Sequence, residues 1–391
     1  MDGGRGKLVV GAVATLLALG CSAAPASADY VQFDRPYSYV QPIGVNSSGV
    51  VLAEGSTDLA NPNTTRAPFT WNGAFTQLPA APAAAGKAAV VTTAVDINDQ
   101  GRIAGLSAYT NPTYICTFWQ NRVATGVVWS GAGVLTELGG LPPSGTDPNC
   151  SWIPDLAPVA LNGAGVVLGR SRVNTGEYRT GTAAAGSPAV TQLPAACPTS
   201  SETAVAINDA GTVVLQCATR ARTVSAAGIV TDLPVGFAPV ARGITPSGVI
   251  LGRQGGIPAK LTGASSVTLL QPLPGFASAT ATAIADDGTV VGSSGTGSAA
   301  RATLWRPDGT AVDLNTMAPG ATAPLTSATD ISPDGGYIIG SIDGGGGQTD
   351  RPMYRIGAGP KDLSVTLDAP VAASGDLVSV RLTATNAGTE P

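Results

Sequence analysis

The stretch TAIADDGTVVGSS, Thr282–Ser294, sets two acidic residues beside a glycine between two short apolar runs. Its meaning is decided by its recurrence. Related segments are VNSSGVVLA from Val45, INDQGRIAG from Ile97, LNGAGVVLG from Leu161, INDAGTVVL from Ile207, ITPSGVILG from Ile244 and ISPDGGYIIG from Ile331. Each copy has an aliphatic residue four places before a glycine. The next residue is Asn in four copies, Ala285, Thr245 or Ser332 in the others, and the one after that is Asp in three copies and Pro in two. Asn, Thr or Ser, then Asp or Pro, with Gly at the fourth place is the chemistry of a type I turn whose glycine takes positive φ. A catalytic carboxylate would not be exchanged for proline at equivalent places in one ring. Asp286 and Asp287 therefore read as the bend of a hairpin.

A second element follows most copies: a short strand ending in Trp or another apolar residue, a glycine turn, and a strand ending in Leu. FTWNGAFTQL, VVWSGAGVLTEL and ATLWRPDGTAVDL are the clearest, with RTVSAAGIVTDL and AKLTGASSVTLL weaker. Each unit thus offers four short strands, A to D, in two hairpins. The repeat glycines Gly49, Gly101, Gly165, Gly211, Gly248, Gly288 and Gly335 are spaced by 52, 64, 46, 37, 40 and 47 residues. A four-stranded unit of about 40–50 residues is the signature of a propeller blade. The chain is therefore read as all-β, a seven-bladed β-propeller of four-stranded blades over residues 29–360. Ala, Val, Ile and Thr in strands such as TAVAIN suit the crowded axis, and YVQFD, Tyr30–Asp34, is placed to supply the outer strand that closes the ring and removes an edge. Trp71, Trp129 and Trp305 recur at one repeat position and read as blade-packing residues.

Composition agrees. With 51 Gly, 30 Pro and 12% charged residues, the chain has almost no place for a long amphipathic helix. Arg5 and Lys7, the apolar run Leu8–Gly20 and Ala26-Ser27-Ala28 read as a signal peptide over residues 1–28, with the apolar run too short to span a membrane. Cys21, in LALGC, offers a lipid-anchored alternative, although Ala18 stands where a lipobox usually has Leu. Loss of residues 1–28 would leave the chain, of net charge −5, one unit more negative, so there is no basic footprint for nucleic acid.

Four cysteines remain, Cys116, Cys150, Cys197 and Cys217, and an even count in an exported protein favours disulfides. In a blade the A–B and C–D turns lie on one face, and the B–C loops and D-to-A connections on the other. All four cysteines fall on the second face, which pairs Cys116 with Cys150 and Cys197 with Cys217. The sequence has no histidine, which excludes Ser-His-Asp and Cys-His nucleophiles and histidine metal sites. SIDGGGGQTDR, Ser341–Arg351, matches neither the EF-hand nor the phosphate-binding loop pattern and reads as a loop. No cofactor or metal is expected, and no stretch fits the Asp-box of sialidase-like propellers.

The repeats resemble the HAF-type extracellular repeat proteins of bacteria, whose units look like A-x-x-I-N-x-x-G-x-V-V-G-x-S followed by a Trp-x-x-Gly hairpin. The likeness covers most of residues 40–356, and the third to fifth copies depart from it by lacking the Trp. It implies export and a repeat scaffold, and carries over no activity. Residues 361–391, with DLSVTLDAPVAASGDLVSVRLTATNAG, look like the opening of an immunoglobulin-like surface module, an incomplete, partial β-sandwich segment since such a sandwich needs about seven strands.

Two functions follow. The first is a secreted, non-enzymatic scaffold or binding module at the cell surface, monomeric, contacting cell-wall or extracellular carbohydrate or a surface protein through the long loops of the B–C face. Tyr109, Tyr114, Phe118, Trp119 and Trp152 are its candidate ligand-binding residues, since aromatics in irregular segments can form a stacking platform, or else a satellite core for a long insertion. The alternative is an extracellular polysaccharide hydrolase or lyase that works through Asp or Glu.

Overall fold

The computed structural model describes residues 30–33, 38–56, 66–80, 88–110, 122–141, 156–174, 177–197, 202–342, 353–357, 364–368 and 381–385. Seven four-stranded antiparallel sheets form a seven-bladed β-propeller. The innermost strands are Ser38–Val45, Ala88–Ile97, Leu156–Leu161, Thr203–Ile207, Phe237–Ile244, Ala279–Ile284 and Leu325–Ile331. The seventh blade takes its outer strand from the other end of the chain, Tyr30–Gln32 paired with Met353–Gly357 in the register Tyr30 to Ile356. The ring is thereby closed as YVQFD leads one to expect. A separate two-stranded sheet pairs Ser364–Asp368 with Arg381–Thr385.

The seven repeat glycines adopt φ between +70° and +88°, a region that costs a side chain but not glycine. Each closes the turn by donating its N–H to the carbonyl three residues earlier, as Gly288 does to Ala285 at 2.9 Å. In the opening stretch, Asp287 Oδ1 accepts from Thr289 N at 2.8 Å, while Asp286 N donates to Pro333 O of the next blade at 2.8 Å. The acidic doublet is a turn, as its sequence implies.

The repeated Asn has a double task. Its Oδ1 accepts from the backbone four residues on, as Asn162 does from Val166 at 2.7 Å, and fixes its own turn. Its Nδ2 donates to the equivalent carbonyl of the following blade: Asn46 to Asn98 O, Asn98 to Asn162 O, Asn162 to Asn208 O and Asn208 to Thr245 O, at 2.9–3.3 Å. Four consecutive turns are stitched to their neighbours in this way. Further out, buried apolar side chains gather into clusters at the blade interfaces, such as Leu52, Ile97 and Trp129 between the first two blades. Trp129 and Trp305 are wholly buried and donate Nε1 to Pro79 O and Gln271 O of the preceding blade at 2.8 and 2.6 Å. Trp71 packs edge-on to Phe33 at 4.4 Å, beside the strand that closes the ring. All three tryptophans are packing residues of the blade seams.

Cys197 and Cys217 form the disulfide expected of them, with Cα atoms 5.5 Å apart. Cys116 and Cys150 lie outside the described residues. Peptide mapping without reduction is expected to recover the Cys197–Cys217 link, and replacing both by Ser to cost about 3 kcal/mol through the unfolded chain. Asn162→Ala removes two hydrogen bonds, the one from Val166 N and the one to Asn208 O, which keeps only the N–H of Gly211, so urea unfolding should show a loss of about 1–3 kcal/mol. An unchanged midpoint would mean that the ring does not rely on these stitches.

Candidate functional site

In the innermost strands one residue bulges out of register two places before the strand's last residue: Ile43, Val95, Val159, Val205, Thr282 and Thr329. Such a bulge re-aims the residue that follows it. That following residue is small in most blades, namely Gly44, Ala160, Ala206 and Ala283, but is Asp96 in the second blade and Asp330 in the seventh. The fifth blade differs again. Its ladder jumps from Pro239 opposite Gly252 to Ile244 opposite Ile250, leaving Val240–Gly243 opposite Leu251 alone. Within this enlarged bulge Arg242 takes φ +57°, the one non-glycine positive φ among the described residues. Strain of this kind persists where surrounding contacts over-determine it.

Those contacts reach across the axis. Arg242 Nε lies 3.5 Å from Asp96 Oδ1, and Nη1 lies 3.8 Å from Asp330 Oδ2. Nη1 also donates to Ile43 O and Nη2 to Val95 O. Asp96 accepts from Ile97 N at 3.0 Å and from Leu161 N of the third blade at 2.9 Å. Asp330 accepts from Val45 N of the first blade at 3.0 Å. Gly44 makes room: a Cβ there would stand 3.3 Å from Arg242 Nη1 and 3.4 Å from Asp330 Oδ2.

The three side chains line an axial cavity of about 160 Å³. Its wall mixes the aliphatic Ile97, Leu161, Ile207, Ile244 and Ile331 with Asn98, Asn162 and Asn208, and its mouth is set among the A–B turns, with Asp99, Asp209 and Asp286 and with Pro246 and Pro333. Asp99 accepts from Ser47 N at 2.8 Å, and Asp209 from Gly163 N at 2.6 Å, so two of these acids also brace the turn before them.

Burial pushes Asp330 up to about 7; Arg242 pulls against it, the neighbouring Asp96 adds to it, and the N–H groups of Val45 and Ile331 pull it back. Asp96 is raised as well, by burial, but Arg242 and two backbone donors counter this. Two carboxylates with one guanidinium between them are neutral only when one keeps a proton. No group of three or more His, Cys, Asp or Glu among the described residues is arranged to hold a metal ion.

Of the residues singled out from sequence, Tyr109 is placed in the strand Ile103–Thr110 with its side chain outside the description. Tyr114, Phe118, Trp119 and Trp152 lie outside the described residues. Asp96, Arg242 and Asp330 escaped the sequence reading. The clue was the place just before the recurring aliphatic residue, where two repeats carry Asp and the others a small residue, together with two extra residues in FAPVARGI.

Neither family models nor curated proteins match this sequence. Solved structures do. The chain is similar to the propeller domain of the Trilobed protease from Pyrococcus furiosus, described as having an open velcro topology (TM-score 0.50, 10% identity, 83% of this chain and 94% of that one). It is also similar to puromycin hydrolase in two structures, one an S511A mutant complexed with PGG (0.50, 16%, 88% and 60%) and the other at 0.50, 15%, 86% and 57%. The chain spans at most 60% of the length of puromycin hydrolase. Identities this low show the β-propeller fold alone. The ring here is closed by Tyr30–Gln32.

These findings correct the expectation of a non-enzymatic scaffold that binds through the loops of its B–C face. The propellers that it is similar to belong to a protease and a hydrolase, so the fold is one that enzymes share. The cavity lies among the A–B turns, on the opposite face, because the inner strands converge there and the bulges turn side chains toward the axis. No helix among the described residues is long and apolar enough to cross a membrane.

Asp330 gives a pH test with a defined sign. In the folded chain it holds its proton up to about pH 7, whereas unfolded Asp releases it near about 4. Its contribution to stability is therefore full below about 4 and is lost as pH rises toward about 7. Urea midpoints of wild type relative to Asp330→Asn should fall across that window. A constant difference would place Asp330 outside the buried cluster.

Proposed function

We propose that this chain is an exported hydrolase- or lyase-type propeller whose chemistry is carried by Asp330 and Asp96 in the axial cavity. The observation that carries the reading is the meeting of two buried carboxylates, held unequally by one guanidinium, at a cavity that opens among the A–B turns. Pairs of acids whose surroundings separate their protonation states are suited to general acid–base work. Asp330, protonated up to about pH 7, donates a proton to a leaving oxygen. Asp96, held by Arg242 and by the N–H groups of Ile97 and Leu161, acts as the carboxylate that takes one from water or from the substrate.

The substrate presents a chain end or a small ring, since about 160 Å³ leaves no room for a polymer to lie through the axis. A polysaccharide end is the first class to examine. The disulfide and the basic-apolar-small order of residues 1–28 support export. The repeat resemblance to HAF-type proteins points the same way.

Turnover on a panel of polysaccharides and oligosaccharides, with peptide amides as a second arm, tests the proposal. Wild type should act on one class, with an inflection in rate near pH 7. Asp330→Asn and Asp96→Asn should each lower kcat by about 100-fold or more. Full activity in both variants, or no turnover of either class by wild type, removes the reading.

A further inference from the structure

We propose that Arg242 is a proton-sensitive latch across the propeller axis, closed while one of its two carboxylates is protonated and loosened, with water entering the seam between the last and first blades, when both ionise.

The geometry is that of a cross-brace. Arg242 belongs to the fifth blade, yet its guanidinium meets Ile43 O in the first blade, Val95 O and Asp96 in the second and Asp330 in the seventh. Asp330 in turn accepts from Val45 N, across the junction where the ring's last blade meets its first. The inner stitches are thinner there. The seventh blade has Ser332 in the place of Asn, and its Oγ meets Asp334 and Tyr337 N of its own turn. The neighbouring sixth blade has Ala285 at that position. The latch thus acts where the Asn series leaves off.

Charge count sets the direction. One guanidinium balances one carboxylate, so the closed cluster is neutral with a single proton and carries one net negative charge without it. Among the described residues lining the cavity Arg242 is the one basic side chain, and the other charged groups facing it, Asp99, Asp209 and Asp286, are all acidic. A buried negative charge without a partner is costly and draws water. On the side of the first blade the packing around Gly44 is close, so water from the cavity enters that seam only with movement of Arg242. Proton loss therefore favours an open, hydrated cluster, in line with the upward push on Asp330 from burial and from Asp96. None of this requires the cavity to be catalytic.

The test is native-state hydrogen exchange of the full chain from about pH 5.5 to about pH 8.5, with rates corrected for intrinsic exchange. Val45 N–H, which donates to Asp330, should lose protection by about tenfold or more as pH rises through the range. Thr212 N–H, which donates to the non-titrating Asn208 Oδ1 at 2.8 Å, should not change. In Asp330→Asn the pH dependence at Val45 should vanish, and in Arg242→Met it should move to higher pH, because the two acids then share a proton without a cation. Equal pH dependence at Val45 and Thr212 would mean that the whole ring loosens and would overturn the latch. So would a flat profile at Val45 in wild type, a result that can be read even where a variant does not fold. These readouts are independent of turnover.

Discussion

The turn between the two innermost strands is where this propeller is held together. A side-chain amide that caps its own turn and donates to the next turn's carbonyl couples the local conformation of one blade to the position of its neighbour. Asn46, Asn98, Asn162 and Asn208 do this in series. Each bond is modest, but each carbonyl it reaches is already held by the glycine N–H of its own turn, so the added bond ties one fixed turn to the next and sets the angle between blades. The same turns form the mouth of the axial cavity. The constraint that closes the ring therefore also places Asp99, Asp209 and Asp286 around it.

Where Asn is missing, other devices take over. Asp286 N reaches Pro333 O, Asp334 N donates to Ser47 Oγ at 3.3 Å, and Lys260 Nζ joins the fifth and sixth blades through Gly288 O and Pro307 O at 3.1 and 2.7 Å. Burial lowers the pKa of Lys260, while Asp287 and Asp308 pull it back, which gives the second acid of the opening doublet an electrostatic part beside its turn. Arg355, set over the rings of Trp71 and Tyr337 at 4.9 Å from each centroid, donates to Gly49 O at 3.0 Å. The three seams without an Asn stitch thus each have a polar or cationic tie, built differently in each.

This mixture explains what could be read from the sequence. Blade number, turn glycines, packing tryptophans, the closing strand and one disulfide depend on features that repeat or on short-range chemistry, and self-comparison brings them out. The Asp96–Arg242–Asp330 cluster depends on departures from the repeat. A comparison that seeks sameness sets aside VDIN, TDIS and the two extra residues of FAPVARGI as noise. Their meeting is a property of the closed ring: residues 96, 242 and 330 are distant in the chain and adjacent only because seven inner strands converge on one axis. Aromatic residues in long loops drew attention by their chemistry, while the cavity arose on the other face from residues ordinary in kind and unusual in place.

Whether the cluster merely fills the axis can be judged against the other blades. Gly44, Ala160, Ala206 and Ala283 stand directly after the bulge in four blades, and Gly243 precedes the aliphatic residue in the fifth. Inner strands of this ring are therefore built without a carboxylate at that point. Replacing small apolar groups by two acids and a guanidinium brings a desolvation cost that mutual attraction offsets only when geometry is close. Here the nearest charged contacts are 3.5 and 3.8 Å, one carboxylate must keep a proton for the cluster to be neutral, and Arg242 is held in a left-handed conformation. A plug for the channel would be made more cheaply of leucine. An arrangement that is costly for the fold, confined to three of seven equivalent strands and turned toward the axial cavity is better accounted for by what it does to a proton than by what it adds to stability.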